Sequence, residues 1–257
     1  ADDLTLILPS SKQSIKNVIK ILRDIKNISG LGVNIKKTAI CNIGINTGDI
    51  AYADDLEIGV ETHFVLLGIK FSNNSAYCDQ NFFHLKDVIL ESIKYWGKRI
   101  FSVIGRSFVL KCFILSLVTH RALGLPCPDD AWLKSLQKEL NFFTFNNRSC
   151  SIKSEQLTLL IAKGGFGITN VRNFWLGLKI KLLLKSRFAP DIYATLLRDE
   201  LSYICHDSLE YLTHTSPHVI GKIASKLNNK FWKQSLCHWA DLLTGLYAIT
   251  KLSLIHI

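Results

Sequence analysis

The hydrophobic pattern of this chain changes period once, near Tyr77, and that switch limits the folds open to it more than any other feature. Before it, short apolar runs alternate with polar residues and are bounded by glycine, as in "SGLGVNIKKTAICNIG" (29–44) and "LEIGVETHFVLLGIKF" (56–71). A period of two reads as strands with one buried face. After it, "FFHLKDVILESIKYWGKRIF" and "RSFVLKCFILSLVTHRAL" repeat apolar residues every three or four positions, which is the spacing of a helix burying one side. The expected fold class is α+β, with a strand-rich first quarter, a helical remainder and no internal repeats.

Within the first quarter, one stretch departs from the strand pattern. Ile15, Val18, Ile19, Leu22 and Ile25 recur at helical steps with Lys12, Lys16, Lys20, Arg23 and Lys26 between them, so an amphipathic helix with a basic outer face is expected. Ser10 or Ser11 is suited to cap its start and Gly30 to end it. The run 56–71 reads as a hairpin joined near Glu61-Thr62-His63. Further on, Pro126 and Pro128 break the helical run and Asp129 or Asp130 caps the next helix, "AWLKSLQKELNFFTF". "AKGGFGITN" (162–170) matches neither Rossmann nor P-loop spacing and reads as a tight connector into "RNFWLGLKIKLLLKSRF". From Pro190 the helical pattern continues with weaker periodicity.

Composition adds a partner class. The 257 residues carry 31 Lys and Arg against 21 Asp and Glu, a formal charge of +10, which suits a polyanion such as nucleic acid and is shared by membrane-surface proteins. Hydrophobic residues make up 48%, enough for a packed core and outside the disordered class. The 7 cysteines form no C-x-x-C pair and read as free thiols. Cys205-His206 and Cys237-His238, with His214 and His218, lack the paired spacing of a zinc site, so they are expected to be ordinary residues. The longest apolar run, 107–126, contains Lys111, His120 and Arg121 and reads as a buried helix instead of a membrane span. With 0 methionines the N-terminus reads as non-native, and "LSLIHI" (252–257) is similar to a translated sequencing adapter.

Two stretches carry paired carboxylates: "ADDLTLIL" from Ala1 and "ADDLEIGV" from Ala53, the second preceded by Tyr52. An Asp pair alone is a common turn feature. The downstream residues separate the two. After Asp2-Asp3 come a strand-like run, a helix, "SGLGVNIKKT" and then "FVLLGIKFS", in that order; after Asp54-Asp55 the "LLG" arrives with no room for the helix and lysine segment. The first order resembles the reverse transcriptase of non-LTR retrotransposons, of the long interspersed type, in which an [F/Y]ADD box precedes a helix, an SGL-x-x-N-x-x-KT segment and an LG primer-grip hairpin. "WGKRIFSVIGRSFVLK" (96–111) and "KGGFGITN" (163–170) are similar to that family's thumb segment and its later GG-x-G segment. The resemblance covers residues 1 to about 175 and leaves Tyr52 to Asp55 as a coincidental match.

The resemblance implies the C-terminal part of a polymerase palm with a primer-grip hairpin over 1–76, a thumb-like helical region over 77–160 and a helical extension over 161–251. It implies an RNA-directed DNA polymerase working by two-metal nucleotidyl transfer with Mg2+, an RNA template, a DNA primer and deoxynucleotide triphosphates. Asp2 would ligate metal, and Asp3 beside it would have a secondary metal or structural role. Lys37 is the candidate palm lysine facing the nucleotide phosphates, as general acid, or else a solvated lysine beside Lys36. Leu66, Leu67 and Gly68 match the primer grip. Lys98, Arg99, Arg106 and Lys111 would meet nucleic-acid phosphates without reading sequence, or would form a solvated helix face. The chain alone is expected to be inactive, because the upstream catalytic Asp and the fingers are missing from it. By analogy it works in nucleus and cytoplasm, with no membrane partner. A non-catalytic basic helical RNA- or DNA-binding module and a group II intron maturase-like polymerase remain alternatives.

Overall fold

The computed structural model describes residues 4–9, 11–42, 58–146, 148, 151–188, 192–204, 212 and 215–255. The chain divides into two compact units, 1–84 and 85–257.

In the first unit, α1 (Lys12–Ser29) begins and ends where its caps dictate. The Ser11 hydroxyl accepts from the Ser14 N–H at 3.1 Å, and Gly30, at φ 75°, donates its N–H to the Lys26 carbonyl. A 3₁₀ turn, Ile35–Lys37, leads into β1 (Ala39–Cys41). β1 pairs in parallel with β2 (Gly59–Glu61), Ala39 opposite Gly59 and Cys41 opposite Glu61. The hairpin expected to turn near Thr62 lies further along. At Thr62 the chain leaves β2, and β3 (His63–Leu66) then pairs antiparallel with β4 (Ile69–Ser72) around the two-residue turn Leu67-Gly68. Both turn residues have positive φ, 50° and 75°, as a type I′ turn needs to match the strand twist.

The hairpin is tied to α2 (Ser75–Gly97) by one buried amide. Asn81 accepts from the Lys70 N–H at 2.8 Å and donates to the carbonyls of Lys70 (2.9 Å) and Cys78 (2.8 Å). An edge strand's orphan backbone groups are thereby satisfied.

The second unit is helical. α3 (Val103–Val109), a π turn (Leu110–Ile114) and α4 (Leu115–Gly124) run on without a break. α5 (Asp130–Thr144) comes next, with Asp129 accepting from the Trp132 N–H at 2.7 Å as its cap. After α6 (Ser154–Thr158) and a 3₁₀ turn, Ile161–Lys163, come α7 (Val171–Phe188), α8 (Ile192–Ser202), α9 (Pro217–Lys226) and α10 (Lys230–Ile255). α3, α4, α5 and α7 bury Val109, Ile114, Val118, Leu136, Phe143 and Trp175 between them. A second cluster joins α7, α8, α9 and α10 through Leu183, Leu197, Ile220, Trp232 and Leu236.

The stretch Val103–Gly124 is long and apolar enough to cross a membrane by length and composition, and 39% of its most apolar part is buried. Leu110, Ile114, Leu115, Val118 and Ala122 face the core as expected, while Ile104, Phe108 and Phe113 stay exposed.

Candidate nucleic-acid interface

The residues expected at a palm site are only partly in view. Asp2 and Asp3 lie outside the described residues, as do Tyr52 to Asp55. Lys37 closes the 3₁₀ turn, its N–H donating to the Asn34 carbonyl at 3.0 Å, and its side chain is exposed beside an equally exposed Lys36. Leu66 ends β3, paired with Ile69, and Leu67 and Gly68 form the hairpin turn, with Leu67 79% exposed at its tip.

The basic set of the second unit separates by environment. Lys98 and Arg99 are exposed where α2 ends. The Arg99 guanidinium carbon sits 5.0 Å from the Trp96 ring centroid and 5.5 Å from that of Tyr95, and one of its nitrogens donates to the Tyr95 hydroxyl at 3.1 Å. Such packing fixes a flat cation over aromatic faces. Lys111 is exposed on the π turn, its Nζ 3.6 Å from where a Cβ on Gly167 would lie.

Arg106 departs from the expectation. It is 3% exposed and donates to the Phe143 carbonyl (3.2 Å), the Arg99 carbonyl (3.3 Å) and the Asn146 Oδ1 (2.8 Å). A guanidinium with five donors suits this task, because it bonds the Arg99 carbonyl and the Asn146 side chain and adds a donor to the Phe143 carbonyl, which also accepts from the Asn146 N–H. Arg106 is therefore a staple between α3 and the end of α5, not a member of the exposed set. It also lines a cleft of about 470 Å³ with Phe101, Val103, Thr144, Arg148 and Ser151.

The connector motif has a steric cause. Gly164 and Gly167 have φ of 79° and 61°, and a Cβ on Gly165 would lie 2.2 Å from the Leu159 carbonyl oxygen. The loop passes too close to its own backbone for any side chain at 165.

Sequence reasoning missed Lys179. It is fully buried in α7, donates to the Leu125 carbonyl at 2.8 Å and lies 3.4 Å from the Phe231 ring centroid. Burial pushes its amine down to about 7, against a smaller opposing pull from Cys127. Burial also drives the Cys127 thiol up to about 11, partly offset by Lys179 and Arg172. The available signal is its register: unlike Lys181 and Lys185, Lys179 falls three or four positions from each of Trp175, Leu176, Leu182 and Leu183, on the apolar face.

The Cys and His pairs gather no metal set in view. Cys205, His206 and His214 lie outside the described residues, and His238 faces Asp241 at 3.7 Å with burial lowering its pKa. Among the described residues no three His, Cys, Asp or Glu side chains come together.

No protein-family model matches this sequence.

Proposed function

We propose that this chain is part of an RNA-directed DNA polymerase of the non-LTR retrotransposon type, with unit 85–257 contributing a thumb-like grip on nucleic acid. The observation that carries the reading is the order of its motifs: Asp2-Asp3, the α1 helix, the Lys37 segment, the Leu67-Gly68 turn and the basic stretch 96–111. Two structural features support it. The "LLG" motif falls on a tight hairpin turn, where glycine leaves the backbone open to a strand of nucleic acid. The exposed Lys98, Arg99 and Lys111 lie within one short segment, where they can neutralise successive phosphates.

In this reading Mg2+ would be held by Asp2 and would supply activation of the primer hydroxyl; Lys37 would place its charge near nucleotide phosphates. The partners would be an RNA template, a DNA primer and deoxynucleotide triphosphates, met in nucleus and cytoplasm. A binding module without catalysis is the second reading, favoured by the basic surface being complete without any carboxylate.

The test is affinity for an RNA–DNA primer–template at several salt concentrations. The reading expects binding that weakens with salt, and a slope reduced by about one unit for each of Lys98→Ala, Arg99→Ala and Lys111→Ala. In the full-length polymerase, Asp2→Ala should abolish primer extension and leave that affinity unchanged. Extension that survives Asp2→Ala would refute the catalytic assignment.

A further inference from the structure

Between Glu91 and Asp129 the chain has no acidic residue and carries Lys94, Lys98, Arg99, Arg106, Lys111 and Arg121. Within that stretch the rings form one cluster centred on Trp96. Phe113 lies 4.7 Å from it, Tyr95 meets it edge-on at 5.5 Å, and Phe101 is 6.3 Å away. The rings come from the end of α2, the loop after it and the π turn, so they make a compact patch and not a stripe along one helix.

This patch is left in water. Tyr95 is 57% exposed and Phe113 50%, with Trp96 and Phe101 half-buried beneath them, although such side chains ordinarily supply core. Contiguous exposed apolar surface of this kind marks a site of interaction.

We propose that this face is a stacking platform for the unpaired bases of a single-stranded nucleic acid, with Arg99 and the adjacent Lys98 holding its backbone. The proposal deepens the thumb reading above and rests on it for the class of partner. Charge selects that class: Arg99 lies on the rings themselves, and the stretch 92–128 that supplies them holds no carboxylate, which fits a polyanion. The rings then select its form. A duplex presents phosphates and hides its base faces, so exposed rings would gain nothing from it, whereas every unpaired base offers a flat π face. Arg99 argues against a lipid surface. Its guanidinium lies over Trp96 and Tyr95, where a bilayer would have to desolvate it, while a base can stack on guanidinium and ring alike.

The experiment uses the whole chain and a labelled oligo-dT of about a dozen nucleotides, monitored by fluorescence anisotropy. The same oligonucleotide annealed to its complement, and phosphatidylserine vesicles, serve as competitors. The expected result is tighter binding of the single strand than the duplex, with quenching of tryptophan emission. Tyr95→Ala and Phe113→Ala should each lower single-strand affinity by about five- to hundredfold, leave duplex affinity unchanged and keep the thermal midpoint of the parent. Lys98→Ala should instead reduce the salt slope by about 0.7 for the single strand. Ring variants that bind oligo-dT like the parent would overturn the platform, as would displacement of oligo-dT by vesicles. If duplex binding keeps its salt slope while the ring variants change nothing, the platform alone fails; if neither nucleic acid binds, the thumb reading fails with it.

Discussion

Leu67 is the residue whose backbone and side chain disagree. Its φ of 50° belongs to a region that branched and bulky residues avoid, at about 1–2 kcal/mol, and its side chain is 79% exposed and so recovers little by burial. Asn is at ease in that conformation and, before Gly68, makes the preferred type I′ pair. Leu67→Asn should therefore raise stability toward urea by about 1 kcal/mol. A variant no more stable than the parent would mean that Leu67 packs on something in solution. Arg106 supplies the opposite case. Arg106→Met removes donors from two backbone carbonyls and the Asn146 amide oxygen, and should cost about 2–5 kcal/mol. Lys98→Ala and Lys111→Ala, on the surface, should stay within about 0.5 kcal/mol of the parent. Equal urea midpoints for all three would refute the staple. The sequence could not separate these basic residues, because charge and helical spacing were alike; the partners that make Arg106 internal lie near residues 143 and 146.

At the scale of elements, the sequence revealed what is locally determined. Ser11, Gly30 and Asp129 cap their helices where the sequence indicated, because each cap bonds to backbone within four residues. The hairpin was displaced for the converse reason. Alternation in 56–61 identifies a strand but not its partner, and β2 finds β1, twenty residues upstream at each pair of the register, instead of β3. The π turn at Leu110–Ile114 left no mark in the apolar pattern, since one inserted residue shifts the buried face by less than the width of an apolar stripe. The 162–170 connector was recognised by its glycines, but only the folded backbone shows which one is indispensable. Gly165→Ala places a methyl against Leu159 backbone, which no side-chain rotation can relieve, so it should destabilise by more than about 2 kcal/mol in thermal or urea unfolding. Gly177→Ala, inside α7 with nothing near the new Cβ, should be neutral or stabilising by up to about 1 kcal/mol. Reversal of that order would show that the loop adopts another path.

For the second unit as a whole, Lys179 couples cohesion to pH. Its amine joins α7 to the carbonyl just beyond α4 and to a ring of α10, so three elements meet at one buried amine. Its folded pKa is lowered to about 7, while in the unfolded chain it returns to the usual range of about 10.4. Between those values the unfolded chain binds a proton that the folded chain does not, so unfolding is favoured at the lower end and stability rises with pH. From pH 7 to 9 the gain should be about 2 kcal/mol. Other groups act at its edges. His238, lowered by burial, contributes below its usual range, and Cys127, raised to about 11, lets the unfolded thiol ionise first, as do Cys41 and Cys237, also raised by burial, so these thiols lower stability from about pH 8.5 upward and trim the top of the rise. Lys179→Met should remove the rise between pH 7 and 9 while shifting the whole curve by the loss of the hydrogen bond to Leu125. Urea unfolding at half-unit pH steps separates the slope from the offset. A parent protein whose stability is flat across that window would place the Lys179 amine in water, contrary to its position among Leu125, Cys127 and Phe231.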